Sequence, residues 1–447
     1  MALALGLALA PAASAQQGDL WICSGQSNME LPVSRCMDAV AEAVSGYVNP
    51  EVNYLKVPLA WNFDWPQKAL PEGCFWQALD APEKAQSWGA LAYFTGRGLQ
   101  EATGAPQYMF NSSVGGSPIE AWLPAEELPD YAQRELLGCR DKAWMDAALY
   151  HNAHLYSDWQ NAVNAAPLDP DAQWQAVEMF SDWGLENGQP VFGSHYLKNT
   201  FRLKSSQVKA DAVLHLGAMR DADSVFVNGH FVGNTTYQYP PRNYKVPASY
   251  LRKGENVVEI HLYAADNAAA FVPGKQYSLE TAKGDVDLTK GWQYKRGRKG
   301  THRGAQIFLQ YKASGLYNAM IAPIPAYLKQ HPGLNLKGVI WYQGESNAGR
   351  ADNYEELLLR LIESWRTLLG DPDLPFYIVE LAAYEHSELE TASTSGWVRV
   401  QDAQRAVAEK MENVYVVPNR DLGEWNDIHP QDKKTLGERT VNVILNR

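Results

Sequence analysis

Short apolar runs alternate with amphipathic stretches in both terminal parts of the chain. The apolar runs predict buried strands, and the stretches with apolar residues every three or four positions predict helices. The predicted strands cover 20–23, 108–110, 338–342, 376–380 and 414–417, and the predicted helices cover 90–101, 354–369, 398–410 and 431–445. Short buried strands that alternate with helices are typical of a parallel sheet covered on both faces. We therefore predict an α/β fold.

The middle of the chain has a different pattern. From about residue 173 to 279, apolar and polar residues alternate with a period of two, and turn residues separate the runs. Such closely spaced strands favour a β-sandwich or jelly roll. Asn228-Gly229, between 225–227 and 231–232, predicts a tight hairpin. We therefore predict that an all-β domain, residues 171–285, interrupts the α/β domain, whose two parts are 18–170 and 286–447.

Composition narrows the class of protein. The chain has 447 residues, of which 46% are hydrophobic and 20% charged. At roughly 150 residues per domain, this length suits two or three globular domains. The net charge of -12 argues against nucleic acid as a partner. The one basic run, 295–299, is short, and we expect it to be a solvated loop.

The first fifteen residues resemble a signal peptide. They form an apolar stretch that ends in Ala13-Ser14-Ala15, a small-residue cleavage site, although a positively charged start is missing. The stretch is too short to span a membrane, and we predict no transmembrane segment elsewhere. We expect a periplasmic or secreted protein with residues 1–15 removed, and no membrane partner.

The four cysteines fit an exported protein. They are Cys23, Cys36, Cys74 and Cys139, and no two have the spacing of a structural zinc site. Cys23 lies in an apolar run, so we expect a buried thiol. An oxidising compartment permits one disulfide among the other three, and the sequence leaves the pairing open.

The residues that can perform chemistry follow the predicted strands. Ser27 comes directly after the first strand, and the turns Gly115-Gly116 and 343–345 follow two others. Ligands of parallel α/β sheets bind at this strand edge. A serine nucleophile needs a base, a group that orients the base, and donors for the oxyanion. His429 precedes the last predicted helix, and Asp427, two residues earlier, can reach its ring.

Four ordered motifs resemble the conserved blocks of the SGNH hydrolase superfamily. They are Gly25-Gln-Ser-Asn-Met-Glu30, Asn111-Ser-Ser-Val-Gly-Gly-Ser-Pro-Ile-Glu-Ala-Trp122, Trp341-Tyr-Gln-Gly-Glu-Ser-Asn347 and Asp427-Ile-His-Pro430. The chain is most similar to the sialate O-acetylesterase-like carbohydrate esterases, which include the xyloglucan acetylesterases of carbohydrate esterase family 20. The resemblance also covers 315–323, and segments 216–229 and 242–247 resemble galactose-binding-like jelly rolls.

The resemblance implies a role for each motif residue. Ser27 would be the nucleophile, His429 the base and Asp427 its partner. The backbone N–H groups of Ser27 and of the Gly115-Gly116 turn, with the side-chain amide of Gln343, would form the oxyanion hole. The reaction would need no cofactor and no metal.

The sequence departs from the superfamily at two positions. Many members have Asp three residues before the histidine, where this chain has Asn426, and many have Asn where this chain has Gln343. The acid therefore stays open between Asp427 and Glu345. Glu345 and Asn318 are also candidate substrate-binding residues.

The expected substrate is an acetylated oligo- or polysaccharide. A plant polysaccharide such as xyloglucan is one candidate, and acetylated sialic acid is the alternative. Three aromatic residues on predicted turns could stack on sugar rings: Tyr237, Tyr239 and Trp292. A non-catalytic carbohydrate-binding protein on an esterase scaffold is a hypothesis of another class. A lipase or thioesterase is disfavoured because no amphipathic lid helix is apparent.

Overall fold

A computed structural model of the chain describes residues 16–384, 395–425 and 427–447. The predicted signal peptide lies outside these residues. Within the described ranges, no helix is both long and apolar enough to cross a membrane.

The helices and strands are numbered here in chain order. The strands are β1 (Gly18–Gly25), β2 (Asn49–Lys56), β3 (Gln77–Leu79), β4 (Gln107–Ser113), β5 (Gln175–Ala176), β6 (Leu185–Glu186), β7 (Gln189–Pro190), β8 (Gly193–Leu203), β9 (Ala212–Leu216), β10 (Met219–Arg220), β11 (Ala222–Val227), β12 (His230–Thr235), β13 (Asn243–Val246), β14 (Gly254–Ala264), β15 (Ala270–Phe271), β16 (Tyr277–Glu280), β17 (Val286–Asp287), β18 (Trp292–Lys299), β19 (Leu334–Tyr342), β20 (Phe376–Val379) and β21 (Val414–Val417). The α-helices are α1 (Ser27–Glu30), α2 (Ala39–Ser45), α3 (Pro82–Ala85), α4 (Ala90–Thr103), α5 (Asp130–Cys139), α6 (Lys142–Ala165), α7 (Ile324–Gln330), α8 (Tyr354–Leu369), α9 (Gly396–Lys410) and α10 (Lys433–Leu445).

The chain divides into two compact units. The first contains the residues up to Met145 together with Phe308–Arg447, and the second is Asp146–Ile307.

The first unit is built on a seven-stranded sheet with the order β21-β20-β19-β1-β4-β2-β3. All neighbouring strands run parallel except β2 and β3, which are antiparallel. Residues 20–23 of the central strand β1 are buried, as a strand covered on both faces requires. Gly25 lies opposite Ser113 of β4 and Tyr342 of β19. The three turns that carry the candidate site residues therefore begin at the same level of one sheet edge.

This parallel sheet with helices confirms the predicted α/β class. Each of the five strands and four helices predicted in the terminal parts is present, with ends that differ by a few residues. The pattern did not predict β2, β3 or the long helix α6. The apolar residues of β2 occupy only its second half, Val52–Leu55, because its first residues are exposed at the surface.

The second unit contains antiparallel sheets. Its largest sheet has the order β12-β11-β14-β8-β18-β5, and a four-stranded sheet has the order β13-β9-β16-β17. Apolar residues of both sheets share one core, among them Leu197 and Ile260 from the first and Leu214 and Leu279 from the second. The predicted hairpin is confirmed, because Val227 pairs with His230 around Asn228-Gly229. A jelly-roll topology for this unit remains a prediction.

Three sequence-based expectations are wrong. The basic run 295–299 is part of strand β18, where Arg296 and Lys299 both pair with Glu186, at 3.0 and 3.2 Å. All four cysteines are free thiols, so no disulfide joins Cys36, Cys74 or Cys139; Cys23 is buried as expected. Trp292 is only 1% exposed and packs in the core of the second unit, so it is not available to stack on a sugar.

Candidate active site

Ser27 is presented by a sharp turn at the end of β1. Gly25 has a φ of 132°, and a Cβ there would lie 2.0 Å from the carbonyl oxygen of Tyr342. Only glycine fits this conformation and this close approach. The chain then enters the short helix α1 at Ser27. The backbone N–H of Ser27 donates no hydrogen bond to a described residue, as is usual for the first N–H of a helix.

His429 reaches Ser27 from the loop that precedes α10. Its Nε2 lies 2.9 Å from the Oγ of Ser27, which is hydrogen-bond distance. Asp427 accepts a hydrogen bond from the backbone N–H of His429, at 2.9 Å. The same oxygen, Oδ1, lies 3.5 Å from Nδ1 of the ring. The structure thus brings together the three residues predicted to form a triad, with the carboxylate at ion-pair distance from the imidazole.

Asn28, the residue after the nucleophile, is the centre of a buried polar network. Its Nδ2 donates to Glu345 Oε1 at 2.6 Å and to the carbonyl oxygen of Ile428 at 3.0 Å. Its Oδ1 accepts from Nζ of Lys433 at 2.8 Å. Asn28 therefore connects the serine turn to the residue immediately before His429.

The two charged members of this network are both buried. Burial raises the pKa of Glu345, although the Asn28 hydrogen bond and the charges of His429 and Lys433 oppose the change. Its Oε2 has no hydrogen-bond partner among the described residues. Burial lowers the pKa of Lys433 to about 7, with Glu345 as the main opposing charge. Glu345 thus holds Asn28, whereas Asp427 holds His429.

The two glycines of the predicted oxyanion turn differ in their contacts. The N–H of Gly115 donates to Glu30 Oε2 at 2.5 Å, and Glu30 also pairs with Lys56 at 2.6 Å. The N–H of Gly116 donates to no described residue. A Cβ on Gly115 would lie 3.4 Å from Cβ of Ser27, so the turn lies directly beside the nucleophile. In this arrangement Gly116, rather than Gly115, has its N–H available for an oxyanion.

The side-chain amide of Gln343, for which the resemblance implies an oxyanion role, already donates hydrogen bonds to neighbouring residues. It is fully buried, and its Nε2 donates to Gln26 Oε1, Ser117 O and Asn347 Oδ1 at 3.3, 3.1 and 2.8 Å. Gln26 Oε1 also accepts from the N–H of Ser346 at 3.2 Å. The amide of Gln343 therefore joins three segments around the serine turn through its hydrogen bonds.

Two further residues bear on the sequence-based assignment. Asn318 is buried, and its amide donates to the carbonyl oxygen of Asn62 at 2.9 Å, so it ties a loop to the π-helix at Tyr317–Ile321. Lys433 was not predicted, because a lysine at the start of an amphipathic helix is usually solvated. No sequence signal distinguishes it from its neighbour Lys434.

Comparisons with known proteins agree with the motifs. Residues 279–446 match the family described as carbohydrate esterase, sialic acid-specific acetylesterase. The sialate O-acetylesterase of Mus musculus is 35% identical over 143 residues, which are 28% of this chain and 25% of that protein. The sialate O-acetylesterase of Homo sapiens is 33% identical over 146 residues, 29% of this chain and 26% of that protein. The matched part of the chain thus spans about a quarter of the length of these curated relatives.

The chain also aligns over nearly its whole length with a solved structure. The crystal structure of a carbohydrate acetylesterase from Xanthomonas citri aligns with 96% of this chain and 57% of its own chain, with a TM-score of 0.50 and 20% sequence identity. At this identity the match concerns the fold. Together with the family match over 279–446, which contains Gln343, Glu345, Asp427 and His429, it confirms the resemblance to SGNH-like carbohydrate esterases.

Proposed function

We propose that the chain is a serine esterase that removes O-acetyl groups from carbohydrate. The observation that carries this proposal is the 2.9 Å distance between His429 Nε2 and Ser27 Oγ, beside a turn with an available backbone N–H. A histidine at hydrogen-bond distance from a serine is the arrangement that activates a hydroxyl nucleophile. The likeness to acetylesterases makes acetyl the expected acyl group.

The proposed reaction is acyl transfer in two halves. Ser27 Oγ attacks the acetyl carbonyl carbon while His429 Nε2 takes the hydroxyl proton. The N–H groups of Ser27 and Gly116 stabilise the oxyanion. When the tetrahedral intermediate collapses, the bond to the sugar oxygen breaks and His429 returns the proton to that oxygen. Water then attacks the acetyl-enzyme with His429 as base, and acetate leaves.

Asp427 is the proposed orienting acid. Its Oδ1 holds the backbone of His429 and lies 3.5 Å from Nδ1, so a carboxylate there favours the tautomer whose Nε2 can accept a proton. Glu345 remains the alternative acid, which is favoured by its buried Oε2, an oxygen with no hydrogen-bond partner among the described residues.

We propose an acetylated carbohydrate as the natural substrate and consider two candidates. The family match and the curated sialate O-acetylesterases support an acetylated sugar, with sialic acid as one candidate. A plant polysaccharide such as xyloglucan is the other, on the motif resemblance. We propose that the protein acts after export, in the periplasm or outside the cell. The second unit, with its antiparallel sheets, is proposed to be a galactose-binding-like jelly roll.

Acetate release tests the proposed activity. Purified protein is incubated with acetylated xyloglucan oligosaccharides and with O-acetylated sialic acid, and acetate and the loss of acetyl mass are measured. Ser27→Ala should abolish release from whichever substrate is used. Ser157→Ala is the matched control, since this serine is exposed on helix α6. Equal acetate release by Ser27→Ala and the native chain would overturn the proposal.

A non-catalytic carbohydrate-binding protein is the competing function. It is tested by labelling with a serine-reactive phosphonate, followed by mass spectrometry of the peptide that contains Ser27. Labelling at Ser27 supports the esterase. Glycan binding without labelling would support the binding protein.

A further inference from the structure

A cleft opens beside the serine turn, on the side of Gly116. It has a volume of about 290 Å³, close to the lower end of small-molecule pockets. Gly116 and Ser346 are among its lining residues, and Ser346 Oγ donates to the carbonyl oxygen of Gly116 at 2.9 Å. The neighbouring residue, Gly115, lies against Ser27. The turn that contacts Ser27 through Gly115 therefore also lines the cleft through Gly116.

Two tyrosine rings contribute to the lining of this cleft. Tyr311 packs directly on Gly116, where a Cβ would lie 2.2 Å from the phenol oxygen. Tyr131 is 37% exposed and is held by its phenol group, which donates to Glu120 and accepts from Asn353 Nδ2 at 2.9 Å. The guanidinium of Arg350 lies over one face of the Tyr131 ring, with its Cζ 5.7 Å from the ring centroid, so a ligand would stack on the opposite face. That face suits the C–H face of a pyranose.

The charged groups in the cleft neutralise one another. Arg350 pairs with Glu120 at 3.2 Å, and Lys312 pairs with Glu135 at 2.7 Å. Two cations and two carboxylates leave no net charge to attract an ionised ligand. They nevertheless offer both donors and acceptors, which is what sugar hydroxyl groups require. An anionic sugar would have to compete with a carboxylate already bound to each cation.

We propose that this cleft binds a neutral pyranose of the acetylated substrate, stacked on Tyr131 and hydrogen-bonded to the paired charges. The proposal rests on the proposed esterase function and specifies its substrate class. The sugar in the cleft would place a neighbouring acetyl group at Ser27. A sialic acid residue, with its carboxylate, would be bound less well.

The decisive variants change the ring of Tyr131. Tyr131→Ala removes the stacking face, whereas Tyr131→Phe keeps it and removes only the phenol. We expect Tyr131→Ala to reduce kcat/KM for an acetylated neutral oligosaccharide, mainly through KM, about tenfold more than it reduces kcat/KM for 4-nitrophenyl acetate. Tyr131→Phe should keep most of the native kcat/KM for the oligosaccharide, because it keeps the ring. Tyr150→Ala, at an exposed tyrosine of helix α6, is the matched control and should change neither value.

The outcomes separate this inference from the proposed function. If Tyr131→Ala lowers the rates on both esters equally, or on neither, the cleft does not bind the sugar. The charge argument is tested by inhibition of 4-nitrophenyl acetate hydrolysis with deacetylated neutral oligosaccharide and with free sialic acid. Stronger inhibition by sialic acid that is lost in Arg350→Gln would overturn the neutral-sugar proposal. If the native chain hydrolyses neither ester, the proposed esterase function itself fails.

Discussion

Lys433 offers a sharp test of how the network behind Ser27 works. It is the first residue of α10 and is fully buried. Its Nζ donates to Asn28 Oδ1 and lies 5.1 Å from the ring centroid of Tyr342. A pKa lowered from 10.5 to about 7 is the net effect of desolvation and the opposing charge of Glu345, and it corresponds to a net loss of about 5 kcal/mol of stability at about 1.36 kcal/mol per pKa unit. This loss applies when the ammonium group is charged.

Lys433→Met replaces the ammonium group with an apolar side chain of similar length. The substitution removes the desolvation loss and leaves Asn28 Oδ1 without its donor, which costs about 1–3 kcal/mol. We therefore expect the free energy of unfolding near pH 7 to rise by about 2 kcal/mol. At the same time kcat should fall about tenfold, because Asn28 is then held by Glu345 alone and positions Ile428, next to His429, less firmly.

The pH dependence follows from the direction of the pKa change. Between about pH 7 and pH 10.5 the unfolded chain binds a proton at Lys433 that the folded chain lacks. The free energy of unfolding of the native chain therefore rises with pH over this range. The contribution of Lys433 to stability is lowest below pH 7. Lys433→Met lacks this gain. Its advantage in stability should be largest at pH 7 and below, and should shrink towards pH 10.

Urea unfolding at pH 7 and pH 9.5 measures the stability difference, and hydrolysis of 4-nitrophenyl acetate measures kcat. Lys434→Met is the matched control, because it makes the same change one residue later at a partly exposed position. The reasoning is refuted if Lys433→Met is less stable than the native chain by the same amount at both pH values. It is also refuted if kcat is unchanged.

Three further predictions concern the acid, the amide and the second unit. Asp427→Asn should lower kcat for 4-nitrophenyl acetate about a hundredfold or more, and Glu345→Gln should lower it less; the reverse order would make Glu345 the orienting acid. Gln343→Met should lower the free energy of unfolding by about 1–2 kcal/mol in urea titration, because Ser117 O loses the Gln343 amide while Gln26 Oε1 and Asn347 Oδ1 keep a backbone donor; a loss of kcat at unchanged stability would support its oxyanion role. Arg242→Ala should cost about 3–5 kcal/mol in thermal unfolding, since the buried carboxylate of Asp223 loses the guanidinium at 2.7 Å and keeps only the Tyr244 hydroxyl; a melting temperature equal to that of the native chain would contradict this.

The sequence predicts the sheet and the position of the nucleophile well, for physical reasons. Apolar runs as short as 20–23 are unambiguous because a central parallel strand is buried on both faces. The pairing of Gly25 with Tyr342 then fixes which turns meet. Strand β2 could not be predicted in this way, because its first half is exposed and only its second half is apolar and buried. The sequence also did not identify Tyr131 and Arg350 as cleft residues, because no local pattern distinguishes an aromatic residue in a cleft from any other exposed aromatic residue.

The contacts of Gln343 and Gly115 show why the role of a motif residue is hard to predict from sequence. Polar residues in a sequence motif suggest a catalytic role. A turn that brings three loops together, however, also contains many buried polar groups that need hydrogen-bond partners. Gln343 satisfies three of them. Gly115 donates to Glu30 for the same reason. Sequence cannot separate these uses, since both require the same residue types.

Segment 26–30 contains both structural residues and the proposed nucleophile. Gln26 accepts from Gln343 and Ser346, Asn28 connects Glu345, Lys433 and Ile428, and Glu30 holds Gly115. Met29 is buried in the core. Ser27 alone projects towards His429. Because each neighbour of the serine fixes a different loop, substitutions beside Ser27 should displace the base and the oxyanion donor together, so their effects on kcat will not be additive with that of Asp427→Asn.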